Sequence, residues 1–149
     1  MQVFVNDDSF LKKGYTISTD KSLIDFEAVY QYLSKESYWA KGIPADRLAR
    51  AIENSMCFGV YKGNEQAGFT RVVTDQATFA YICDVFILPK HRGFGLSKWL
   101  MQTIAGHPDL QGLRRWSLAT LDAHGLYGQF GFTPLSKPEN WMEMFKPYQ

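Results

Sequence analysis

The segment between residues 84 and 98 constrains the fold more than any other part of the chain, because glycines join a strand pattern to a helix pattern there. Residues 78–88 form a nearly apolar run, and residues 96–104 repeat apolar side chains at helical spacing. Between them, Gly93 and Gly95 let a ligand approach the backbone closely. A helix N-terminus presents unpaired N–H groups and a partial positive charge, so this junction predicts an anion site.

A pyrophosphate is the anion that best suits this loop, because Arg92 and Lys98 can add charge-assisted hydrogen bonds. Two familiar phosphate loops do not match. A Walker loop ends in Gly-Lys-Ser/Thr, and a Rossmann loop places three glycines after the first strand. The pattern here is Arg-x-x-Gly-x-small, with Ser97 in the last position.

The rest of the chain predicts a mixed α/β fold, and because it shows neither a repeat nor a linker, residues 1–149 are expected to form a single domain. The predicted elements, in chain order, are a strand over 15–19, helices over 23–33 and 44–52, strands over 56–61, 66–74 and 78–88, a helix over 96–104, a strand over 115–119, a short helix over 123–130, and a last hairpin of 132–135 and 141–146. Asp20 or Ser22 is the predicted N-cap of the first helix. Pro44 is predicted to be the first residue of the second helix.

Composition narrows the function classes. Hydrophobic residues make up 46% of the chain and charged residues 21%, a globular balance. The net charge of +1 provides no basic excess for nucleic acid or an anionic membrane. The sequence shows neither a signal-peptide pattern nor a membrane-length apolar run, and Cys57 and Cys83 lie in predicted strands as reduced thiols. A cytoplasmic protein is expected, and no Cys/His spacing indicates a metal site.

A second motif follows the strand predicted over 115–119. It reads Ala-x-x-Leu-Tyr-x-x-x-Gly-Phe and uses Ala123, Leu126, Tyr127, Gly131 and Phe132. With the glycine loop before it, this motif makes the chain resemble the GNAT superfamily of acyl-CoA-dependent N-acyltransferases over almost its whole length. The resemblance implies a central, mixed, mostly antiparallel twisted sheet with flanking helices, in which the fourth and fifth strands splay apart.

The resemblance also implies acetyl-CoA as the co-substrate and assigns positions to it. The pantetheine arm would bond to the backbone of the fourth strand, at Val85 and Ile87, and complete the sheet. The pyrophosphate would lie on the glycine loop, which comprises Arg92, Gly93, Phe94, Gly95, Leu96, Ser97 and Lys98. Tyr127 would lie beside the coenzyme sulfur.

Acetyl transfer to an amine poses two proton problems. An alkylamine has a pKa of roughly 10.4 and must lose a proton before it attacks, and the departing thiolate must be protonated. Tyr127 is the expected acid. Asp84, the one carboxylate in the run 78–88, is either the base or half of a structural ion pair, and strand alternation places it away from the site unless a bulge intervenes. Tyr81 is the second candidate for the base.

The resemblance assigns acceptor recognition to the region around the first two helices, where Tyr38 and Trp39 either bind substrate with Asp84 or simply close the core. The expected function is direct acetylation of a primary amine on a small molecule. Acetylation of protein N-termini or lysines, and a non-catalytic coenzyme A sensor, remain as alternatives. The sequence leaves the oligomeric state open, with a homodimer as the assembly to test.

Overall fold

A computed structural model describes residues 7–148. Residues 1–6, where the sequence shows no signal-peptide pattern, and residue 149 lie outside the described part. Five strands form one sheet: β1 (Tyr15–Ser18), β2 (Met56–Lys62), β3 (Glu65–Thr74), β4 (Phe79–Ile87) and β5 (Arg115–Leu118). The helices that flank the sheet are α1 (Asp7–Lys12), α2 (Phe26–Gln31), α3 (Ala45–Glu53), α4 (Leu96–Ala105) and α5 (His124–Gly128).

The sheet is mixed, and its strands lie in chain order from β1 to β5. The pairs from β1 to β4 are antiparallel, whereas β4 and β5 run parallel. The parallel register ends where Ile82 faces Leu118, although β4 continues to Ile87. The two strands therefore part along the second half of β4, and the predicted splay of a mostly antiparallel sheet is confirmed.

A β-bulge interrupts the pairing of β3 with β4. Phe69 faces Phe86 and Arg71 faces Cys83, so that Asp84 and Val85 lie together opposite the single residue between Phe69 and Arg71. The extra residue of the bulge is accommodated by a left-handed backbone at Asp84, where φ is +56°. The bulge that the sequence required for Asp84 to turn toward the site is therefore present.

Each face of the sheet buries its own apolar cluster, as the alternation of side chains along a strand requires. The face under α4 packs a core built around Phe58, Ile82, Leu100 and Ile104. The opposite face holds Phe69 and Phe86 against side chains from α2 and α3. The two clusters fix β4 from both sides. Among the described residues, no helix is long and apolar enough to cross a membrane.

The N-terminal elements differ from the prediction in three places. Helix α1 was not predicted, and tertiary contacts hold it: Phe10 stacks on Trp99 with ring centroids 4.7 Å apart. Asp20 caps only a 3-10 turn, and α2 starts later, at the Asp25 cap, because the chain is extended between them. Pro44 is the N-cap of α3 rather than its first helical residue.

The predicted C-terminal hairpin is wrong. Within the described residues, the chain after α5 contains a 3-10 turn (Pro138–Asn140) and no strand. Pro134, inside the first predicted strand, lacks the N–H group that a ladder would use. The apolar residues that produced the strand pattern stay exposed: Met142 at 96%, Met144 at 85% and Phe145 at 72%.

Candidate active site

The glycine loop runs from the end of β4 into α4 as the sequence predicts. Gly93 and Gly95 have φ of +88° and +86°, a region that L side chains rarely adopt. Gly95 is the N-cap of α4, and its carbonyl accepts a hydrogen bond from the Trp99 N–H at 3.2 Å. The first N–H groups of the helix, which include those of Ser97 and Lys98, have no acceptor earlier in the helix and are available to an anion.

The side chains of this loop divide into those fixed by the protein and those that face outward. Arg92 donates from Nε to the Ile87 carbonyl at 2.8 Å and from Nη2 to Tyr32 Oη at 3.0 Å, which orients its guanidinium. Leu96 is buried in the core, so only its backbone can reach a ligand. Phe94 is half exposed. The loop thus offers a backbone cradle with one positioned cation beside it.

A cavity of about 420 Å³ opens where β4 and β5 separate. The side chains that carry the chemistry there are Tyr38, Trp39, Tyr81, Asp84, Val85 and Tyr127. The structure therefore places the three predicted catalytic residues around one space, together with both predicted acceptor residues. Ile87 lies further along β4, toward the glycine loop.

Asp84 is the charged residue most firmly held in this cavity. Its side chain is 8% exposed. Its Oδ1 accepts a hydrogen bond from Trp39 Nε1 at 2.9 Å, and its Oδ2 pairs with Arg71 Nε at 2.8 Å. A carboxylate has about four acceptor positions, so these two contacts leave room for a substrate or a water. Asp84 therefore forms a structural ion pair and also lines the cavity.

Arg71 was not singled out in the sequence. It lies on β3 across the bulge, and its side chain is 18% exposed. The available signal was a lone arginine in the apolar run 66–74, followed by a lone aspartate in the next predicted strand. Because a buried charge requires a partner, the lone arginine and the lone aspartate could have been predicted to form an ion pair.

Tyr127 lies on α5 at the far side of the cavity and is 8% exposed. Burial, with smaller contributions from the nearby Tyr38 and Asp122, raises the pKa of its phenol to about 12. The group therefore keeps its proton at neutral pH, as a general acid must. Burial also raises the pKa of Tyr81, followed by the charges of Cys83 and Asp84. A neutral phenol is a poor proton acceptor, so Tyr81 would need an activating neighbour to serve as a base.

Cys83 also lines the cavity. Burial raises the pKa of its thiol to about 12. A thiol needs to ionise before it becomes a nucleophile, so Cys83 is not prepared to carry an acetyl group.

Tyr38 and Trp39 form one side of the cavity. Their rings meet edge to face with centroids 5.0 Å apart, and Tyr38 Oη accepts a hydrogen bond from the Leu121 N–H at 2.9 Å. The loop after α2 is thereby tied to the loop after β5. Sequence reasoning missed this contact, because no local pattern marks a hydrogen bond between residues so far apart. His124, by contrast, lines a neighbouring cavity rather than this one.

The structure opens the sheet between β4 and β5, forms a glycine cradle at the start of α4 and places a buried phenol beside the opening. A family model described as the acetyltransferase (GNAT) family matches residues 26–132. The chain belongs to this family.

Individual relatives agree with this assignment. A GNAT-family structure from Xanthomonas campestris (xcc2953) shares 53% identity over 89% of this chain and 94% of its own, with a TM-score of 0.88. The Gibberella zeae protein FG08082, named as a candidate acetyltransferase, is 36% identical over 81% of this chain and 80% of its own length. A GNAT-family acetyltransferase from Streptococcus pneumoniae (SP0256) has the same fold at 22% identity, with a TM-score of 0.67 over 89% of this chain and 96% of its own.

Proposed function

We propose that the chain transfers the acetyl group of acetyl-CoA directly to a primary amine of a small molecule. The observation that supports this most is the cavity of about 420 Å³ that Asp84 and Tyr127 both line. Its volume lies within the range of pockets that take small ligands, roughly 300–1,000 Å³. The Tyr38–Leu121 hydrogen bond joins two of the loops around it, which favours a compact acceptor over a polypeptide.

The residues on β4 and at the start of α4 fit acetyl-CoA. Beyond Ile82 the backbone of β4 has no pairing with β5, and Val85 and Ile87 lie in that stretch to hold the pantetheine arm as an added strand. The backbone from Gly93 to Lys98, with Arg92 beside it, would hold the pyrophosphate. When bound, acetyl-CoA supplies an activated thioester.

Two side chains would move the protons of the reaction. Asp84 takes a proton from the acceptor amine, directly or through a water, and the amine nitrogen then forms the new bond to the acetyl carbon. As the carbon–sulfur bond breaks, Tyr127 would give its phenol proton to the departing sulfur, and the second proton that the nitrogen loses as the amide forms would restore the phenol. Tyr38, Trp39 and the Asp84 carboxylate orient the amine. Tyr81, which lines the same cavity, is the alternative base.

Thiol release with two classes of acceptor tests this proposal. Purified protein and acetyl-CoA are mixed with small amines or with peptides that present a free N-terminus or lysine. Release with small amines and none with peptides supports the proposal, whereas a preference for peptides would assign the enzyme to protein acetylation. Binding of acetyl-CoA without release from any acceptor would favour the sensor.

The setting of the enzyme is a separate proposal. Cys57 and Cys83 are both free thiols, which supports a reducing compartment and hence the cytoplasm. A second copy of the chain is the partner that would cover the exposed apolar side chains near the C-terminus, at Met142, Met144 and Phe145. We therefore expect a homodimer.

A further inference from the structure

We propose that the acceptor is a compact diamine: a primary amine with a second positive charge and no carboxylate or phosphate, whose distal charge is bound by Asp122. This inference rests on the proposed function and specifies its substrate class. It is carried by the charges and the aromatic side chains that surround the cavity.

The formal charges around the cavity are of one sign. Among the described residues that line it, Asp84 and Asp122 are acidic, and none is a lysine, an arginine or a histidine. Arg71 directs its charge at Asp84 Oδ2 from behind and is not part of the lining. An acceptor with a carboxylate or phosphate would bring a negative charge close to Asp122, and the lining offers no cation to receive it. A cationic acceptor meets complementary charge.

The aromatic lining supports the same class of acceptor. Tyr38, Trp39, Tyr81 and Tyr127 contribute four rings to one small cavity. Ring faces carry negative potential and attract ammonium groups, more strongly where water is excluded. Rings alone would also accept an apolar amine. The acidic residues are what distinguish a diamine from a monoamine.

The two acidic residues are not equivalent. Asp84 is buried and paired with Arg71, so its charge is compensated from within the protein. Asp122 lies in the loop between β5 and α5 and makes no ion pair with any other residue of the described chain. It is near enough to Tyr127 for its negative charge to help raise the pKa of that phenol. Asp122 is therefore the carboxylate free to bind a charge that the substrate carries away from its reacting nitrogen.

Three acceptors of matched length test the inference. Cadaverine, hexylamine and aminocaproate present a distal cation, a methyl group and a carboxylate, respectively. We expect kcat/KM for thiol release to be highest for cadaverine, about two- to fivefold above hexylamine, as an ion pair with the exposed Asp122 would give. Aminocaproate should be the poorest. The difference should lie mainly in KM, because the distal charge is bound equally before and during transfer.

Substitution of Asp122 identifies the residue responsible. Asp122→Asn should reduce the ratio of cadaverine to hexylamine toward one, while Asp109→Asn, an exposed aspartate on the connection from α4 to β5, should leave that ratio as in the wild type. A ratio unaffected by Asp122→Asn, or turnover of aminocaproate equal to that of cadaverine, would overturn the inference and leave the acetyltransferase proposal standing. Failure of every small amine and every peptide to release thiol would contradict the proposed function itself.

Discussion

Asp84 combines a structural and a chemical position in one side chain. The bulge gives it a left-handed backbone, Arg71 and Trp39 hold its two oxygens, and the cavity opens beside it. A group held in this way cannot rotate out of the cavity without breaking both contacts. The ion pair therefore does not exclude a role in proton transfer, since it also fixes the carboxylate in place.

Asp84→Asn separates the two roles. Loss of the carboxylate should lower kcat by about 10²–10⁴-fold, and the remaining activity should rise only as the acceptor amine loses its own proton, near pH ~10. Kinetic pH profiles of the wild type and the variant would measure this. Asp46→Asn, on the exposed side of α3, is the matched control.

The same variant leaves Arg71 without its charged partner and should destabilise the fold by up to about 3–5 kcal/mol in denaturant unfolding. Arg71→Met added to Asp84→Asn should restore much of that stability and none of the activity. If the double variant regained full turnover, the role of Asp84 would be structural alone.

Tyr127→Phe tests the general acid. The change removes one hydroxyl and should lower kcat by roughly 10²–10⁴-fold, with acetyl-CoA affinity within about threefold of the wild type. Because the pKa of the phenol is raised to about 12, the wild type should show no loss of rate from Tyr127 ionisation until the pH approaches that value. Tyr30→Phe on α2 is the control. Unaltered turnover in Tyr127→Phe would rule out proton donation by this residue.

At the residue scale, the sequence predicted the members of the site better than their partners. Asp84 was recognisable because a lone carboxylate in an apolar strand needs a reason, and Tyr127 because it belongs to a motif. Arg71 and Asp122 belong to no motif. Their roles depend on which loops and strands meet in space, which a single sequence does not specify.

Among the elements, the junction of β4 with α4 carries the strongest prediction. Gly95 has φ +86°, and a Cβ built there would meet its nearest neighbour, Phe10 Cζ, at an ordinary 3.7 Å. Gly95→Val should therefore fold, with a backbone penalty of roughly 1–3 kcal/mol, while the bulk beside the loop blocks close approach of a phosphate. Calorimetric titration should show that acetyl-CoA binding is lost or that its affinity falls by at least about tenfold, because the phosphate site contributes much of the binding free energy.

Gly112→Val controls for strain in this experiment. Gly112 has φ +75° with open space around it and lies between α4 and β5, away from the loop. The Gly112→Val variant should lose about as much folding stability as Gly95→Val and should keep the wild-type affinity for acetyl-CoA. Equal affinity in Gly95→Val and the wild type would mean that the loop does not bind the coenzyme.

The strands and helices were predictable where local pattern and tertiary packing agree. The apolar runs of β2 and β3 and the helical spacing of α4 are examples, since both faces of the sheet are buried. The C-terminal hairpin failed because its apolar residues follow a strand pattern without a neighbouring strand in the same chain to pair with. Helix α1 was missed because its stability comes from the Phe10–Trp99 stack.

For the whole molecule, the exposed C-terminal side chains predict self-association. The edge of β5 away from β4 is unpaired within the described sheet, and Met142, Met144 and Phe145 are largely exposed. Light scattering after gel filtration should give twice the chain mass, and Met144→Lys with Phe145→Glu should give the single chain. Leu11→Glu on α1, also an exposed apolar position, should leave the dimer intact. A wild-type monomer at high concentration would contradict this expectation.

We propose that the opening between β4 and β5 and the glycine loop together form one acetyl-CoA site. Calorimetric titration of the wild-type protein with acetyl-CoA tests it most directly. We expect saturable heat with one molecule bound per chain. A titration without saturable heat would contradict the assignment of the loop and the opening to the coenzyme, and with it the proposed reaction.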